Sequence, residues 1–125
     1  MRLLLDTHVY LWVAVGSRLL KSRTRALIDA ADEVFVSSAS IWEIAIKVRL
    51  GKLTVDIDAL VSAIAESGFT ELPVRASHAA RVAGLPLHHT DPFDRLLLAQ
   101  AMSEPLQFLT ADRMLPRYSD LVVVC

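Results

Sequence analysis

The stretch that decides the fold is Arg2-Leu3-Leu4-Leu5-Asp6, a short apolar run that ends in an acidic residue. The same pattern recurs far along the chain, where Gln107-Phe108-Leu109-Thr110 is followed closely by Asp112. Short apolar runs of this kind are typical of buried strands in a parallel sheet. The carboxyl ends of such strands line the crevice in which ligands bind, beside the strand where the order reverses. We therefore expect Asp6 and Asp112 to meet at one crevice, where carboxylates would suit a hard divalent cation.

The rest of the chain alternates between strand-like and helix-like segments, which predicts βαβ units in an α/β fold. Besides 2–5 and 107–110, the predicted strands are 34–37, 69–74 and 121–124. The predicted helices are 40–50, 58–67, 75–83 and 91–102. Ser40 and Glu43 have the spacing of a capping box, and Asp91 is predicted to cap the last helix because Pro92 follows it. No linker or internal repeat interrupts this pattern, so residues 1–125 are expected to form a single domain.

The composition restricts the compartment and the kind of partner. The 125 residues include one cysteine, Cys125, so an intrachain disulfide is impossible and a reducing, cytoplasmic compartment is expected. No apolar stretch approaches the roughly 20 residues that span a bilayer, so we expect no membrane partner. Hydrophobic residues make up 54% of the chain, a surplus that predicts a covered interface. The net charge of −1 gives no general attraction for nucleic acid, so RNA binding would require a local cationic surface.

Four motifs, in order along the chain, carry a resemblance to a known family. They are Asp6-Thr7-His8, the segment 37–44 around Trp42-Glu43, the segment 91–101 beginning Asp91-Pro92-Phe93-Asp94-Arg95, and Leu109-Thr110-Ala111-Asp112-Arg113. Together they resemble the PIN-domain nucleases, and more narrowly the VapC-type toxins of bacterial and archaeal toxin–antitoxin pairs. The resemblance implies a PIN-like three-layer fold, with a parallel sheet of order 3-2-1-4-5 flanked by helices. It also implies an Mg²⁺- or Mn²⁺-dependent endoribonuclease that forms a homodimer and is inhibited by a cognate antitoxin, in a complex that can grow into a larger toxin–antitoxin assembly.

Carried over to this chain, the resemblance assigns catalytic roles to Asp6, Glu43, Asp94 and Asp112. Asp6 and Asp94 would hold the metal across the site, and Asp112 would bind it directly or through water. Glu43 would bind metal or orient the attacking water. The residues assigned to support these carboxylates are Ser37, Ser38, Asp91 and Thr110. The candidates for RNA contact are Lys47, Arg49, Arg95 and Arg113.

Each of these acids also has a purely structural interpretation. Asp6 could be the N-cap of a following helix, and Glu43 could close the capping box and pair with Lys47. Asp94 would be favoured by the helix dipole in the first turn of its helix. Asp112 could cap a helix through Arg113 and Met114. Taken together, however, the four structural interpretations require four coincidences at predicted crevice positions.

Two other functions fit the same residues. The first is a catalytically inactive PIN-like module that binds only RNA or a protein partner, and a missing carboxylate would favour it. The second is another Mg²⁺ enzyme of similar architecture, such as a phosphatase-like hydrolase. That interpretation lacks an Asp-x-Asp pair after the first strand, because Thr7 and His8 follow Asp6.

Several residues outside the motifs are less specific. The densest basic stretch contains Arg18, Lys21, Arg23 and Arg25. It either follows an RNA backbone or forms a solvated helix face, and its composition does not separate the two interpretations. His88-His89 is interpreted as a loop that could contact RNA phosphate, in preference to a metal-binding pair. Trp42 and Leu50 lie opposite Ile44 on the predicted helix, which predicts burial against a partner as well as the core.

Overall fold

At the centre of the computed structural model, which describes residues 1–125, lies an all-parallel sheet of five strands. The strands are β1 (Arg2–Leu5), β2 (Glu33–Ser37), β3 (Thr70–Leu72), β4 (Gln107–Thr110) and β5 (Val122–Val124). Their spatial order is β3-β2-β1-β4-β5, which confirms the predicted order. The order reverses at β1, and Asp6 stands directly after that strand. The first predicted acid therefore lies at the topological switch point of the sheet.

Helices cover both faces of the sheet. They are α1 (Thr7–Val15), α2 (Ser22–Ala30), α3 (Ser38–Arg49), α4 (Ile57–Glu66), α5 (Ala76–Arg81) and α6 (Pro92–Ser103), with 3₁₀ turns at Val82–Gly84 and Leu115–Arg117. One core cluster joins α6 to the first face, and a second cluster joins α1 and α4 to the opposite face. These layers are the predicted three-layer α/β fold. None of the helices combines the length and the apolar character that crossing a membrane requires.

The leucines of β1 show why the sheet must be covered on both sides. Leu4 belongs to the cluster on the α6 side, whereas Leu3 and Leu5 belong to the cluster on the α1 and α4 side. All three side chains are fully buried. Successive side chains of a strand point to opposite faces, so three consecutive leucines are stable only where both faces are packed.

The start of α3 differs from the sequence prediction. Ser37, not Ser40, is its N-cap, and the Ser37 Oγ accepts a hydrogen bond of 3.0 Å from the Ala39 amide. Ser40 lies inside the helix, fully buried, and its Oγ accepts a hydrogen bond of 2.9 Å from the Thr7 hydroxyl. The predicted capping box of Ser40 and Glu43 is therefore wrong. Two serines precede Ser40, and the earliest of the run caps the helix because the backbone turns directly after β2.

Two further helix starts illustrate when a local pattern is sufficient. Asp91 caps α6 as predicted, because its Oδ1 accepts hydrogen bonds from the amides of Phe93 at 2.8 Å and Asp94 at 3.2 Å. By contrast, α2 was not predicted from the sequence. Only Thr24 and Ile28 of that helix are buried, so its apolar periodicity is too weak to predict a helix.

Candidate metal centre at the carboxyl edge of the sheet

Asp6 is buried at the end of β1, with only 4% of its surface exposed. It occupies the N-cap position of α1, as the structural interpretation predicts, but its side chain makes no capping hydrogen bond. Its Oδ2 accepts a short hydrogen bond from the Thr110 hydroxyl, at the end of the neighbouring strand β4. Its Oδ1 has no hydrogen-bond partner. A buried carboxylate oxygen without a partner is unfavourable, and a bound cation would satisfy it.

Glu43 is the second buried acid, and α3 positions it with 5% of its surface exposed. Its Oε2 accepts a hydrogen bond of 3.1 Å from the Lys47 ammonium group, so the predicted ion pair is present. Its Oε1 has no partner. Asp6 Oδ1 and Glu43 Oε1 are two of the three buried side-chain polar atoms left unpaired, and both belong to the predicted site.

Asp94 lies in the first turn of α6, and the other acids of the site affect its pKa. Burial, which is the largest cause, and the negative charges of Asp6, Asp91 and Glu43 together raise the pKa of Asp94 from its ordinary value of 3.8 to about 7, against a lowering effect of His89. Burial also raises the pKa of Asp6, although the hydrogen bond from Thr110 opposes the shift. The acids are thus close enough to repel one another, and without a counter-charge Asp94 is only partly ionised near neutral pH.

Asp112 has both a structural contact and a contact within the site. Its Oδ1 accepts a hydrogen bond of 2.8 Å from the Met114 amide, as the capping interpretation predicts. Its own amide donates to the Thr110 hydroxyl oxygen at 3.0 Å, which connects it to the partner of Asp6. Its Oδ2 lies 3.0 Å from Nε2 of His89. One carboxylate oxygen therefore holds the turn, and the other faces the cluster.

His89 joins two of the acids, a role that the sequence did not indicate. It lies in the loop before α6, as predicted, and its Nε2 is 3.0 Å from Asp112 Oδ2 and 3.3 Å from Asp94 Oδ2. Its Nδ1 accepts a hydrogen bond of 3.0 Å from the Asp91 amide. The neutral imidazole must then carry its proton on Nε2, where it donates to the carboxylates. In the metal-free protein this tautomer makes His89 a hydrogen-bond donor, and its ligand atom lies within 4.8 Å of those of Asp94 and Asp112, so the three side chains could also hold a metal ion.

Only some of the residues that were expected to support the carboxylates lie beside them. Thr110 contacts Asp6 directly, and Asp91 adds negative charge beside Asp94. Ser37 and Ser38, however, accept hydrogen bonds from the main-chain amides of Ala39 and Val74, at 3.0 and 3.2 Å. Their hydrogen bonds therefore organise the backbone around α3, and none of them reaches a site carboxylate.

The position of Arg95 contradicts one of the predicted RNA contacts. Its side chain is buried, and its guanidinium donates to the carbonyl oxygens of Pro86 at 2.7 Å and Leu85 at 3.1 Å, and to the Tyr118 hydroxyl at 3.2 Å. It also reaches the carbonyl oxygens of Val82 and His89. Because its donors are taken up by the loop before α6, Arg95 faces inward, and the prediction that it contacts RNA is wrong. It instead holds the loop that carries His89.

The other predicted cations differ in their surroundings. Lys47 is paired with Glu43, so it belongs to the site as a counter-charge. Arg49 and Arg113 are exposed, and neither forms an ion pair within the protein. Their contact with RNA stays a prediction.

The donor set suits a hard divalent cation. Asp6 and Glu43 each present one buried, unpaired oxygen, and Asp94 has a carboxyl group whose ionised form lacks sufficient counter-charge. Oxygen ligands of this kind are those that Mg²⁺ and Mn²⁺ prefer. The residues present therefore fit the metal that the family resemblance implies.

Comparison with known proteins identifies the family of this chain. A family model described as the PIN domain matches residues 3–121. Ribonuclease VapC22 of Mycobacterium tuberculosis (strain ATCC 25618 / H37Rv) is 34% identical over 116 residues, which cover 90% of this chain and 88% of that protein.

Two solved structures resemble the fold over nearly its whole length. VapBC2 from Rickettsia felis, bound to a DNA fragment from its promoter, has a TM-score of 0.70 at 12% identity, and the match covers 100% of this chain and 98% of that chain. A toxin–antitoxin complex from Klebsiella pneumoniae has a TM-score of 0.67 at 19% identity, with 97% and 95% covered. At these identities the structural match supports the fold, and the sequence matches decide the family. The chain belongs to the PIN-domain family.

Proposed function

We propose that this protein is a metal-dependent endoribonuclease and the toxin of a toxin–antitoxin pair. The observation that carries the proposal is the cluster of buried acids at the switch point of the sheet, in which Asp6 and Glu43 each have an unpaired oxygen. The similarity to a protein named Ribonuclease VapC22 supports RNA as the substrate. We place its action in the cytoplasm, where that substrate is found.

Asp6, Asp94 and Asp112 would hold Mg²⁺ or Mn²⁺, with Glu43 beside them. The bound cation would lower the pKa of a coordinated water and offset negative charge on the phosphate. Thr110 orients Asp6 through its hydroxyl, which leaves Asp6 Oδ1 facing the site. Lys47 holds Glu43 by Oε2, so the free Oε1 is available to accept a proton from the attacking water. His89 donates from Nε2 and keeps Asp112 turned toward Asp94.

The proposal includes protein partners. Trp42 and Leu50 on α3 are 60% and 63% exposed, and contiguous exposed apolar surface marks interaction sites. Trp42 also contacts Phe93 edge to face, with 5.1 Å between the ring centroids, so the exposed surface extends from α3 to α6. We propose that a second copy of the chain or a cognate antitoxin covers this surface, and that larger toxin–antitoxin assemblies form from such units. The resemblance to a toxin–antitoxin complex from Klebsiella pneumoniae supports this.

A second candidate function is the catalytically inactive module that binds only RNA or protein. One observation favours it: His89 already provides a partner for Asp94 and Asp112, so these acids are not free in the absence of metal. A cleavage assay separates the two candidates. The inactive module would bind RNA without degrading it.

The test is cleavage of RNA by purified protein with Mg²⁺ or Mn²⁺, and its loss on addition of EDTA. Asp6→Asn and Asp94→Asn should each reduce the cleavage rate by about a hundredfold or more, because each removes a charge that holds the cation. Asp120→Asn is the matched control, since Asp120 is an exposed acid before β5, at the opposite edge of the sheet. Full activity in either site variant would reject the assigned site.

A further inference from the structure

A cationic recess lies beside Asp112 but outside the cluster of acids. Its volume is about 440 Å³, and the residues that line it are Lys21, Arg23, Thr24, Arg113, Val124 and Cys125. No acidic side chain is among them. None of its three cations takes part in the ion pairs of the protein, so no acidic side chain pairs with them directly. Three unpaired cations around one concave surface are suited to an anion.

Three elements that are distant in sequence form this recess. Lys21 and Arg23 come from the start of α2, Arg113 follows Asp112 after β4, and Cys125 follows β5. Because β4 and β5 are parallel neighbours, with Thr110 opposite Val124, the recess opens at the same edge of the sheet as the acids. The amino end of α2 has no side-chain cap, which leaves its partial positive charge on the same side.

An apolar recess adjoins the cationic one. It measures about 260 Å³ and shares Lys21, Thr24, Arg113 and Cys125 with its neighbour. Trp12, Leu19 and Leu20 provide its apolar wall. Leu19 is 65% exposed, so this wall is open to solvent. A ligand that fills both recesses would combine an anionic group with a flat apolar group.

We propose that these two recesses bind one nucleotide of single-stranded RNA beside the bond that is cleaved. Its phosphate contacts Lys21, Arg23 and Arg113, and its base packs against Trp12. A single strand is required because the base must leave a stack to reach an aromatic side chain. The inference rests on the proposed function, which supplies RNA as the substrate. The cationic recess also explains how a chain with a net charge of −1 attracts RNA, because these cations lie at the same edge of the sheet as the acids.

The geometry of the sheet places this nucleotide next to the site. Asp6 follows β1, Asp112 follows β4, and the recess lies where β4 and β5 end. Neighbouring strands are about 4.8 Å apart, so the recess begins about one strand beyond the acids. A strand of RNA that crosses the acids in this direction reaches Arg113 immediately after Asp112.

Trp12 provides a direct readout for binding. The chain has two tryptophans, and Trp42→Phe leaves Trp12 as the only one. This variant is titrated with a short single-stranded RNA oligonucleotide of mixed sequence in EDTA, which removes the metal and so prevents cleavage. We expect saturable quenching of the Trp12 fluorescence, because the base packs against the indole ring. Binding by fluorescence anisotropy without quenching of Trp12 would overturn the proposed base contact.

Charge variants in the same background test the phosphate contact. Lys21→Ala/Arg113→Ala should weaken binding about tenfold, because two charge-assisted contacts are lost. The slope of log Kd against log salt should decrease by up to about 0.7, because one phosphate is neutralised at this site. The matched control is Arg18→Ala/Arg25→Ala, which removes the same charge from exposed positions that line neither recess. An equal loss in the control would overturn the proposal in favour of general attraction.

The remaining outcomes distinguish this inference from the proposed function. Arg113→Lys keeps the charge and should retain most of the binding, and equal melting temperatures would show that the variants fold. Cleavage of RNA by a protein whose Trp12 is not quenched would reject the nucleotide site and leave the proposed function intact. Quenching of Trp12 by RNA without cleavage in Mg²⁺ or Mn²⁺ would reject the proposed function and leave the nucleotide site intact. If the protein does not bind the RNA oligonucleotide but binds an acidic peptide tightly, the inference is overturned in favour of a protein partner.

Discussion

Replacing Asp94 by asparagine is expected to stabilise the metal-free protein above neutral pH, although the residue belongs to the proposed active site. The pKa of Asp94 is raised from 3.8 to about 7, chiefly by burial. Each pKa unit corresponds to about 1.36 kcal/mol, so ionising this group in the folded protein costs roughly 4 kcal/mol. The side chain is 17% exposed, and screening by solvent reduces the cost to about 2–4 kcal/mol.

The sign follows from proton binding. Between pH 4 and 7 the folded state binds more protons at Asp94 than the unfolded state does, so the free energy of unfolding falls as pH rises. The loss is complete above the folded pKa of about 7 and absent below the unfolded value. Asp94→Asn should therefore raise the melting temperature at pH 8 by on the order of 10 °C, and should change it little at pH 4.

Adding metal should remove most of this difference. Mg²⁺ at about a hundred times its dissociation constant stabilises a protein by roughly 2.7 kcal/mol, and Asp94→Asn should lose most of that gain. Thermal melts of the wild type, Asp94→Asn and the control Asp120→Asn are compared at both pH values, with EDTA and with Mg²⁺. If Asp94→Asn is less stable than the wild type in EDTA at pH 8 and keeps the full response to Mg²⁺, Asp94 is part of the scaffold and this reasoning is refuted.

Three further predictions concern other residues. Thr110→Val should weaken Mg²⁺ affinity, measured by calorimetry, by about tenfold or more, because Asp6 loses its hydrogen bond. Thr110→Ser keeps the hydroxyl and should retain the affinity, so equal affinities of the valine and serine variants would contradict the role of Thr110 in orienting Asp6. Arg95→Lys should lower the free energy of unfolding by about 2–4 kcal/mol in denaturant melts, because an ammonium cannot replace the guanidinium contacts, and unchanged stability would contradict its buried position. Trp42→Asp should weaken a homodimer or an antitoxin complex in light scattering, and a wild type that is monomeric and binds no antitoxin would refute the interface.

The sequence by itself determined the framework of this protein. Apolar runs define β1 and β4, and the acids that follow them mark the edge at which the site forms. Asp91 and Pro92 predict the start of α6 because capping depends on hydrogen bonds to amides only two and three residues away. The order of the strands came from the family resemblance and not from these local patterns.

The tertiary structure alone decided which side chains meet at the site. Thr110 donates to Asp6 across 104 residues of sequence, and His89 reaches Asp112 across 23. Arg95 adjoins a site acid in sequence, yet it turns inward because carbonyl oxygens of the loop before α6 surround its guanidinium. Local patterns specify helices and strands through short-range backbone hydrogen bonds and the period of apolar residues. The partners of a buried polar side chain depend instead on which groups the whole fold leaves unsatisfied nearby, and that is set only when all the elements have packed.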